Sequence, residues 1–337
     1  MTTKKILIVK PSALGDIIHT IPIAKAIKDK YNAEISWVVS RPFKNLLEYT
    51  PVVDKIFIFE RKKWGGLRFF RYFGEIVKFL RQIRAEKFDM VLDFQGLLRS
   101  GVITLLSGCK HRVGFSNARE LAHLGYTQKV ETPADVVHAI DRYKLIAKAI
   151  DVDDCKMTFP LNIETSLQQK WDTALPNDYA VIVPGARWSS KRWPPQYFAE
   201  LINLMHEKYD IPVVLVGSPN EKQISQQVMD GINDKEKCVN TTGETSLVEL
   251  AHIIKQARIV ITNDSGPMHL AAALNTKTIA LFGPTDPERI RPYGQQHVVM
   301  QNKGVCKCYY QKTCSSKSNL ECLRTIKPDQ IIPELGL

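Results

Sequence analysis

The chain has 337 residues, with 46 Lys+Arg against 35 Asp+Glu and a formal net charge of +11. Its 44% hydrophobic and 24% charged content is ordinary globular composition, and the length suits two cores. Intrinsic disorder, a collagen-like repeat and a disulfide miniprotein are therefore excluded. The longest apolar runs, such as 211–216, are strand-sized and far short of the ~18 residues a membrane span needs.

The N-terminus, MTTKKILIVKPSALGD, is basic but reaches Pro11 and Asp16 too soon to leave the apolar core of a signal peptide. The expected location is cytoplasmic, where the seven cysteines would be mostly reduced. Lys5 to Val9 is a near-continuous apolar run of the kind buried on both faces, followed by a turn and a helix from about Asp16 to Tyr31. Strands are expected at 34–39, 54–59 and 89–92, which makes one Rossmann-like unit. A polar stretch at 162–178 breaks the periodicity at Pro176 and Asn177. The pattern then restarts with a strand at 179–183, a helix at 196–209, and strands at 213–216, 260–262 and 278–282. Strands alternating with amphipathic helices predict an α/β fold with parallel sheets, divided into domains 1–165 and 166–337.

Charge is concentrated in the first half. Residues 1–165 carry 27 Lys+Arg and 18 Asp+Glu, while 166–337 carry 19 and 17. Such an imbalance suits nucleic acid, an anionic membrane or a phosphorylated substrate, and composition alone does not choose among them. Its densest part is 61–87, with nine basic residues against Glu75 and Glu86. There Phe69, Phe73, Ile76, Val77, Leu80 and Ile83 recur at helical spacing. The stripe is expected to pack on the sheet, leaving Trp64, Arg68 and Arg71 for lipid contact.

In open parallel sheets ligands bind beyond the carboxyl ends of the strands. Four segments lie there. In VKPSALGDIIHT (9–20), Asp16 opens the helix after the first strand, as a candidate general base or simply as an acid favoured by the helix dipole by ~0.3–1 kcal/mol. His19 shares its face or packs. In VPGARWSSKRWPPQYF (183–198), Lys191 offers a point charge to a phosphate, or is merely solvated. The G-x-x-x-x-G-K-[ST] spacing is absent, so ATP hydrolysis is not supported. In VVLVGSPNEK (213–222), Glu221 could accept both hydroxyls of a ribose or support the helix dipole. In ITNDSGPMHLAAAL (261–274), a strand ends at Asp264, Ser265 can cap, and Pro267 is expected as the first helical residue. Gly266 then lets a ligand approach free N–H groups, with His269 one turn on, a geometry suited to a diphosphate.

Near the C-terminus, Cys306, Cys308, Cys314 and Cys322 form C-x-C-x5-C-x7-C. Four thiols this close suggest a structural staple, by disulfide or by Zn²⁺, although C-x-C is tighter than the usual knuckle.

Taken together these segments resemble glycosyltransferase family 9, the ADP-heptose:lipopolysaccharide heptosyltransferases, over essentially the whole chain. ILIVKPSALGDIIHTIPIAKAIK and TNDSGPMHLAAALNTKTIALFGPTDP carry the resemblance. DFQGLLRS, GFSNARE and HAIDRY are similar to the branch that adds the first heptose, whereas Ala186-Arg187 and the cysteine tail depart from it. The resemblance implies a GT-B architecture, two Rossmann-like domains facing a central cleft, with ADP-heptose on the C-terminal domain and Kdo-lipid A on the N-terminal one. By the same resemblance Asp16 is the catalytic base of an inverting transfer. Lys191, Glu221, Asp264, Ser265, Gly266 and His269 bind the donor, with Asp264 on sugar hydroxyls. Arg61, Lys62, Arg119 and Arg142 meet acceptor anions. No cofactor or catalytic metal is expected, and the basic half would sit at the inner face of an anionic membrane. The alternatives are a second-heptose or other nucleotide-sugar transferase of the family, a nucleotide-sugar epimerase, and a basic nucleic-acid-binding protein for which no signature motif is present. A dehydrogenase is disfavoured because no G-x-G-x-x-G follows the first strand.

Overall fold

The structure is a computed structural model that describes residues 3–61, 63–64, 68–305, 308–315 and 319–337, with Arg68 and Phe69 described by backbone alone. It divides into two compact units, Met1–Asn162 and Ile163–Leu337.

Unit one is built on β1 (Lys5–Val9), β2 (Glu34–Val39), β3 (Lys55–Ile58), β4 (Met90–Asp93), β5 (Arg112–Phe115) and β6 (Gln128–Val130). These six strands form one parallel sheet in the order β3-β2-β1-β4-β5-β6. Successive side chains of a strand point to opposite faces, and here both faces are covered. Ile6, Ile8, Ile35, Trp37 and Leu92 enter one core with Ile17, Ile21 and Ile27 of the helix Leu14–Tyr31. Leu7, Val9, Val38 and Val91 enter the other with Phe79 and Ile83 of the helix Phe73–Ala85. Each such side chain contributes about 1.5–3 kcal/mol when taken fully out of water. That is why the strands read as continuous apolar runs.

Unit two repeats the plan with β7 (Ala180–Val183), β8 (Val213–Leu215), β9 (Cys238–Asn240), β10 (Ile259–Asn263), β11 (Thr278–Phe282) and β12 (Val298–Gln301). Their order is β12-β11-β10-β7-β8-β9, again all parallel. Counted from its own first strand, each sheet has the order 3-2-1-4-5-6, which reverses direction between strands 1 and 4. Loops leaving those two strands diverge to opposite sides and open a crevice at the sheet's carboxyl edge. The crevices therefore lie beyond β1 and β4 in unit one, and beyond β7 and β10 in unit two.

Two expectations about the basic segment are corrected. Trp64 is buried, edge-on to Phe59 at 5.6 Å and to Phe79 at 5.2 Å, so it belongs to the core and not to a lipid-facing surface. The apolar stripe packs through Ile83, with Ile76 and Leu80 partly buried against the same core, but leaves Phe73 exposed at the first residue of the helix; Phe79, outside the expected stripe, is buried with it. Arg71 is exposed, and the side chain of Arg68 lies outside the described residues. No helix among the described residues is long and apolar enough to cross a membrane.

Candidate active site

In unit one, β1 delivers Lys10 as the next residue and the following turn starts the helix at Leu14. Lys10 is buried. Its Nζ lies 3.4 Å from Asp16 Oδ2, donates to Phe94 O at 3.1 Å, and sits 5.0 Å from the centre of the Tyr143 ring. The Asp16 carboxylate also accepts from Ala13 N–H at 3.1 Å, through Oδ2, and from the Tyr143 hydroxyl at 2.9 Å, through Oδ1. Burial pulls the Lys10 ammonium below the ordinary lysine range, with Asp16 acting in the opposite direction. Burial and the Asp16 charge hold Tyr143 well above the ordinary phenol range, so it remains a donor to that carboxylate.

Beneath this pair, β4 ends in Asp93, which is fully buried. Its Oδ1 accepts from the Gln95 and Gly96 N–H groups at 2.8 and 3.0 Å, and its Oδ2 from the Tyr126 hydroxyl at 2.7 Å. Burial raises its pKa above the usual carboxylate range, with Tyr126 and the loop N–H groups opposing. Asp93 thus shapes the loop after β4.

Three expected acceptor residues connect to the loops that follow β1, β4 and β5. Arg61 Nη1 donates to Ser12 Oγ at 3.3 Å. Arg119 is exposed and its backbone N–H donates to Gly96 O at 3.0 Å. Arg142 donates to Asn117 Oδ1 at 2.6 Å and stacks on Phe115 with its guanidinium 4.3 Å from the ring centre. Lys62 lies outside the described residues. His19 is buried with its ring 5.9 Å from that of His138, so of its two readings the packing one holds.

In unit two, the loop after β7 is tied down by Asn263, the last residue of β10. Its side chain donates to Pro184 O and accepts from Trp193 N–H, both at 2.9 Å. This brings Lys191 to the end of β10, where its Nζ lies 2.5 Å from Asp264 Oδ2 and 4.8 Å from the Trp188 ring centre. Thr285 Oγ1 donates to the same Asp264 oxygen at 2.6 Å. Asp264 is buried, and in this structure its carboxylate holds Lys191.

Ser265 precedes the helix Gly266–Ala273 in an extended conformation but makes no side-chain cap bond. Gly266 is the first helical residue and Pro267 the second, a correction of one position. The first-turn N–H groups of this helix have no intrahelical partners by geometry. His269 lies one turn in and is buried.

Glu221 Oε2 accepts from Ser218 N–H and from Ser218 Oγ, both at 2.7 Å. Its carboxylate lies over Gly185, where an added Cβ would come within 2.1 Å of Oε1. Glycine after β7 is what lets Glu221 reach from the end of β8 toward the crevice.

The cysteine tail braces this loop. Ser190 Oγ donates to Gln311 O at 2.6 Å, Ser190 N–H to Lys312 O at 3.3 Å, and Tyr310 N–H to Pro284 O at 2.8 Å. Cys308 Sγ and Cys314 Sγ are 3.1 Å apart, longer than a covalent S–S bond of about 2.05 Å. Each receives a backbone N–H, from Ser315 at 3.3 Å and from Leu320 at 3.2 Å respectively. Cys322 is buried in the core beside Leu323, and Cys306 lies outside the described residues. No group of three His, Cys, Asp or Glu placed to hold a metal occurs among the described residues.

Sequence reasoning missed Lys10, Tyr143, Asp93 and Thr285. Lys10 and Asp93 stand where strands end, a position that could have flagged them. Nothing in the spacing of Tyr143 or Thr285 points to Asp16 or Asp264.

Two Rossmann-ordered units, each with a lysine–aspartate pair at its switch point, make a two-domain α/β protein of the GT-B type. The chain belongs to glycosyltransferase family 9 (heptosyltransferase), whose family model matches residues 76–319. It is 30% identical to lipopolysaccharide heptosyltransferase 1 of Escherichia coli K12 over 307 residues, covering 88% of this chain and 92% of that protein. Against lipopolysaccharide heptosyltransferase 2 of the same strain it is 27% identical, covering 98% and 97%. The solved structure of E. coli heptosyltransferase WaaC with ADP-2-deoxy-2-fluoro heptose is similar at 26% identity and a TM-score of 0.75, covering 98% of this chain and 99% of that one. The protein is thus a glycosyltransferase.

Proposed function

We propose that the protein transfers a heptose from ADP-heptose to the Kdo-lipid A inner core of lipopolysaccharide, with inversion at the anomeric carbon. The observation that carries this reading is the opposite presentation of two ion pairs. In unit one the ammonium is buried and the carboxylate faces outward: the side chains of Lys10 and Asp16 are 3% and 37% exposed. In unit two the order is reversed, with Lys191 at 15% and Asp264 at 3%. One switch point presents a base, the other a cation.

Asp16 takes the proton of the attacking acceptor hydroxyl as the new bond forms. Ala13 N–H, the Tyr143 hydroxyl and Lys10 hold that carboxylate in one orientation, and a positioned base contributes typically 10²–10⁴ in rate. The departing ADP carries its growing charge on the diphosphate. Lys191 and the N-terminus of the helix at Gly266 meet it, with Asp264 and Thr285 fixing the ammonium. Glu221 takes the ribose hydroxyls, and Ser265 and His269 line the donor. Arg61, Arg119 and Arg142 meet acceptor anions, a role the basic balance of this unit favours. These charges suffice for the leaving group, so the proposed mechanism uses no divalent cation, and excess chelator is expected to leave turnover unchanged.

Addition of the second heptose is the alternative, supported by the 27% identity to a heptosyltransferase 2 over nearly the full chain. Profiling purified protein with ADP-heptose against Kdo-lipid A and against its monoheptosylated form tests both readings. Transfer to the first alone is expected. Transfer only to the second would replace the first-heptose assignment, and transfer to neither would remove the function.

A further inference from the structure

The helix Leu98–Leu106 follows β4 and carries an uncovered apolar face. Leu98, Val102, Leu105 and Leu106 are 50, 40, 48 and 41% exposed. Their i, i+4, i+7 and i+8 spacing puts them on one side. The short turn Ala122–Gly125 packs against this helix at Gly101, where an added Cβ would come within 2.8 Å of Ala122. That turn and the residue before it add Leu124 and Leu121, 65 and 64% exposed. Six large aliphatic side chains left in water around one helix are what a surface keeps for a partner.

Beside the helix opens a cavity of about 300 Å³. Trp64, Phe79, Leu80, Leu98, Val102 and Ile103 are among its walls, and Arg99 is the charged residue lining it. The wall opposite belongs to the helix Phe73–Ala85, whose Lys78, Arg81 and Arg84 are exposed. Two acids lie nearby: the Glu120 carboxylate is engaged by the Leu98 N–H at 3.2 Å, and the Glu75 carboxylate by Lys63 at 2.7 Å and by the Trp64 indole N–H at 3.5 Å. The whole unit, residues 1–162, carries 27 Lys+Arg against 17 Asp+Glu.

We propose that this face rests on an anionic lipid surface, with one acyl chain of that surface entering the cavity and its phosphate meeting Arg99. The chemistry selects this occupant. The cavity walls offer an alkyl chain mostly apolar contact; besides Arg99 their polar group is the Trp64 indole N–H, which is turned to Glu75. The basic helix alongside complements phosphate headgroups, each basic residue near such a surface adding attraction. The inference rests on the lipid-linked acceptor proposed above, since such an acceptor brings the enzyme to a lipid surface. It differs from the sequence expectation by centring the contact on the helix after β4, with Trp64 as a buried wall of the cavity and not as an exposed anchor.

The test is sedimentation with phosphatidylglycerol vesicles and with phosphatidylcholine vesicles, using the wild type and the variants Val102→Gln and Leu105→Gln/Leu124→Gln. Wild type is expected to bind phosphatidylglycerol at least tenfold more strongly than phosphatidylcholine. Each variant is expected to lose at least tenfold of that binding. With a water-soluble, deacylated acceptor the variants are expected to keep wild-type kcat/KM, which also shows that they fold. Equal vesicle binding by wild type and variants would overturn the proposal, as would equal binding to the two lipids. Absence of turnover with any acceptor in the wild type would instead count against the transferase reading and leave the vesicle comparison standing.

Discussion

The two switch points use the same residue types in opposite senses. Beyond β1 a buried lysine steadies an aspartate that is the more exposed partner, and beyond β10 a buried aspartate steadies a lysine that is part-buried but the more exposed of its pair. Burying either charge alone would cost several kcal/mol, so each needs its partner, and the exposed partner is the one left to act. Repetition of the sheet order therefore supplies two equivalent crevices, and the choice of which charge is buried makes one basic and the other cationic.

The largest expected effect breaks the unit-one side. Asp16→Asn should lower turnover by about 10²–10⁴ while ADP affinity, measured by isothermal titration, stays at the wild-type value. Comparable turnover in that variant would take the base away from Asp16. Lys191→Met comes next. Removing a charge placed for the leaving group should cost about 10²–10³ in turnover and also weaken ADP binding, which Asp16→Asn must not do.

Lys10→Met sharpens the comparison through pH. The ammonium that orients Asp16 is present below the Lys10 pKa and is lost as pH rises through it. Burial moves that pKa below the ordinary lysine range, so the rate should fall on an alkaline limb earlier than an exposed lysine would give. In Lys10→Met this limb should vanish and the plateau should drop about tenfold or more. An unchanged limb would assign it to another group.

Smaller effects are expected where the second crevice is shaped but not charged. Gly185→Ala brings a Cβ within 2.1 Å of Glu221 Oε1 and must displace that side chain. ADP affinity should fall about tenfold, matched by Glu221→Ala, with no further loss when the two are combined. Cys308→Ser should be smallest, a few-fold loss of ADP affinity relayed through Tyr310, Gln311 and Lys312 to the loop that carries Lys191.

Much of this was legible in the amino-acid order. The strands β1, β2 and β11 were expected with their observed limits, because strands buried on both faces leave long aliphatic runs. The strands β5, β6, β9 and β12 were not. They are three or four residues long, and Arg112, Gln128, Lys129, Asn240 and Gln301 dilute their apolar signal. Their sheet positions come from neighbours already in place. Asp16 and Lys191 could be singled out because each follows a strand. Lys10 also follows a strand, but its role was not legible, since lysine is normally solvated and only the fold reveals the Phe94 carbonyl, the Tyr143 ring and the Asp16 carboxylate around it. Trp64 misled for a related reason. A tryptophan in a basic stretch suits a lipid interface, and only packing against Phe59 and Phe79 shows that the core takes it.

The division of labour between the two pairs is tested most directly by titrating ADP into Asp16→Asn and Lys191→Met side by side. The expected result is wild-type affinity in the first and at least a tenfold loss in the second. Equal affinity in both, or the loss falling on Asp16→Asn, would contradict the assignment of base and cation to separate units.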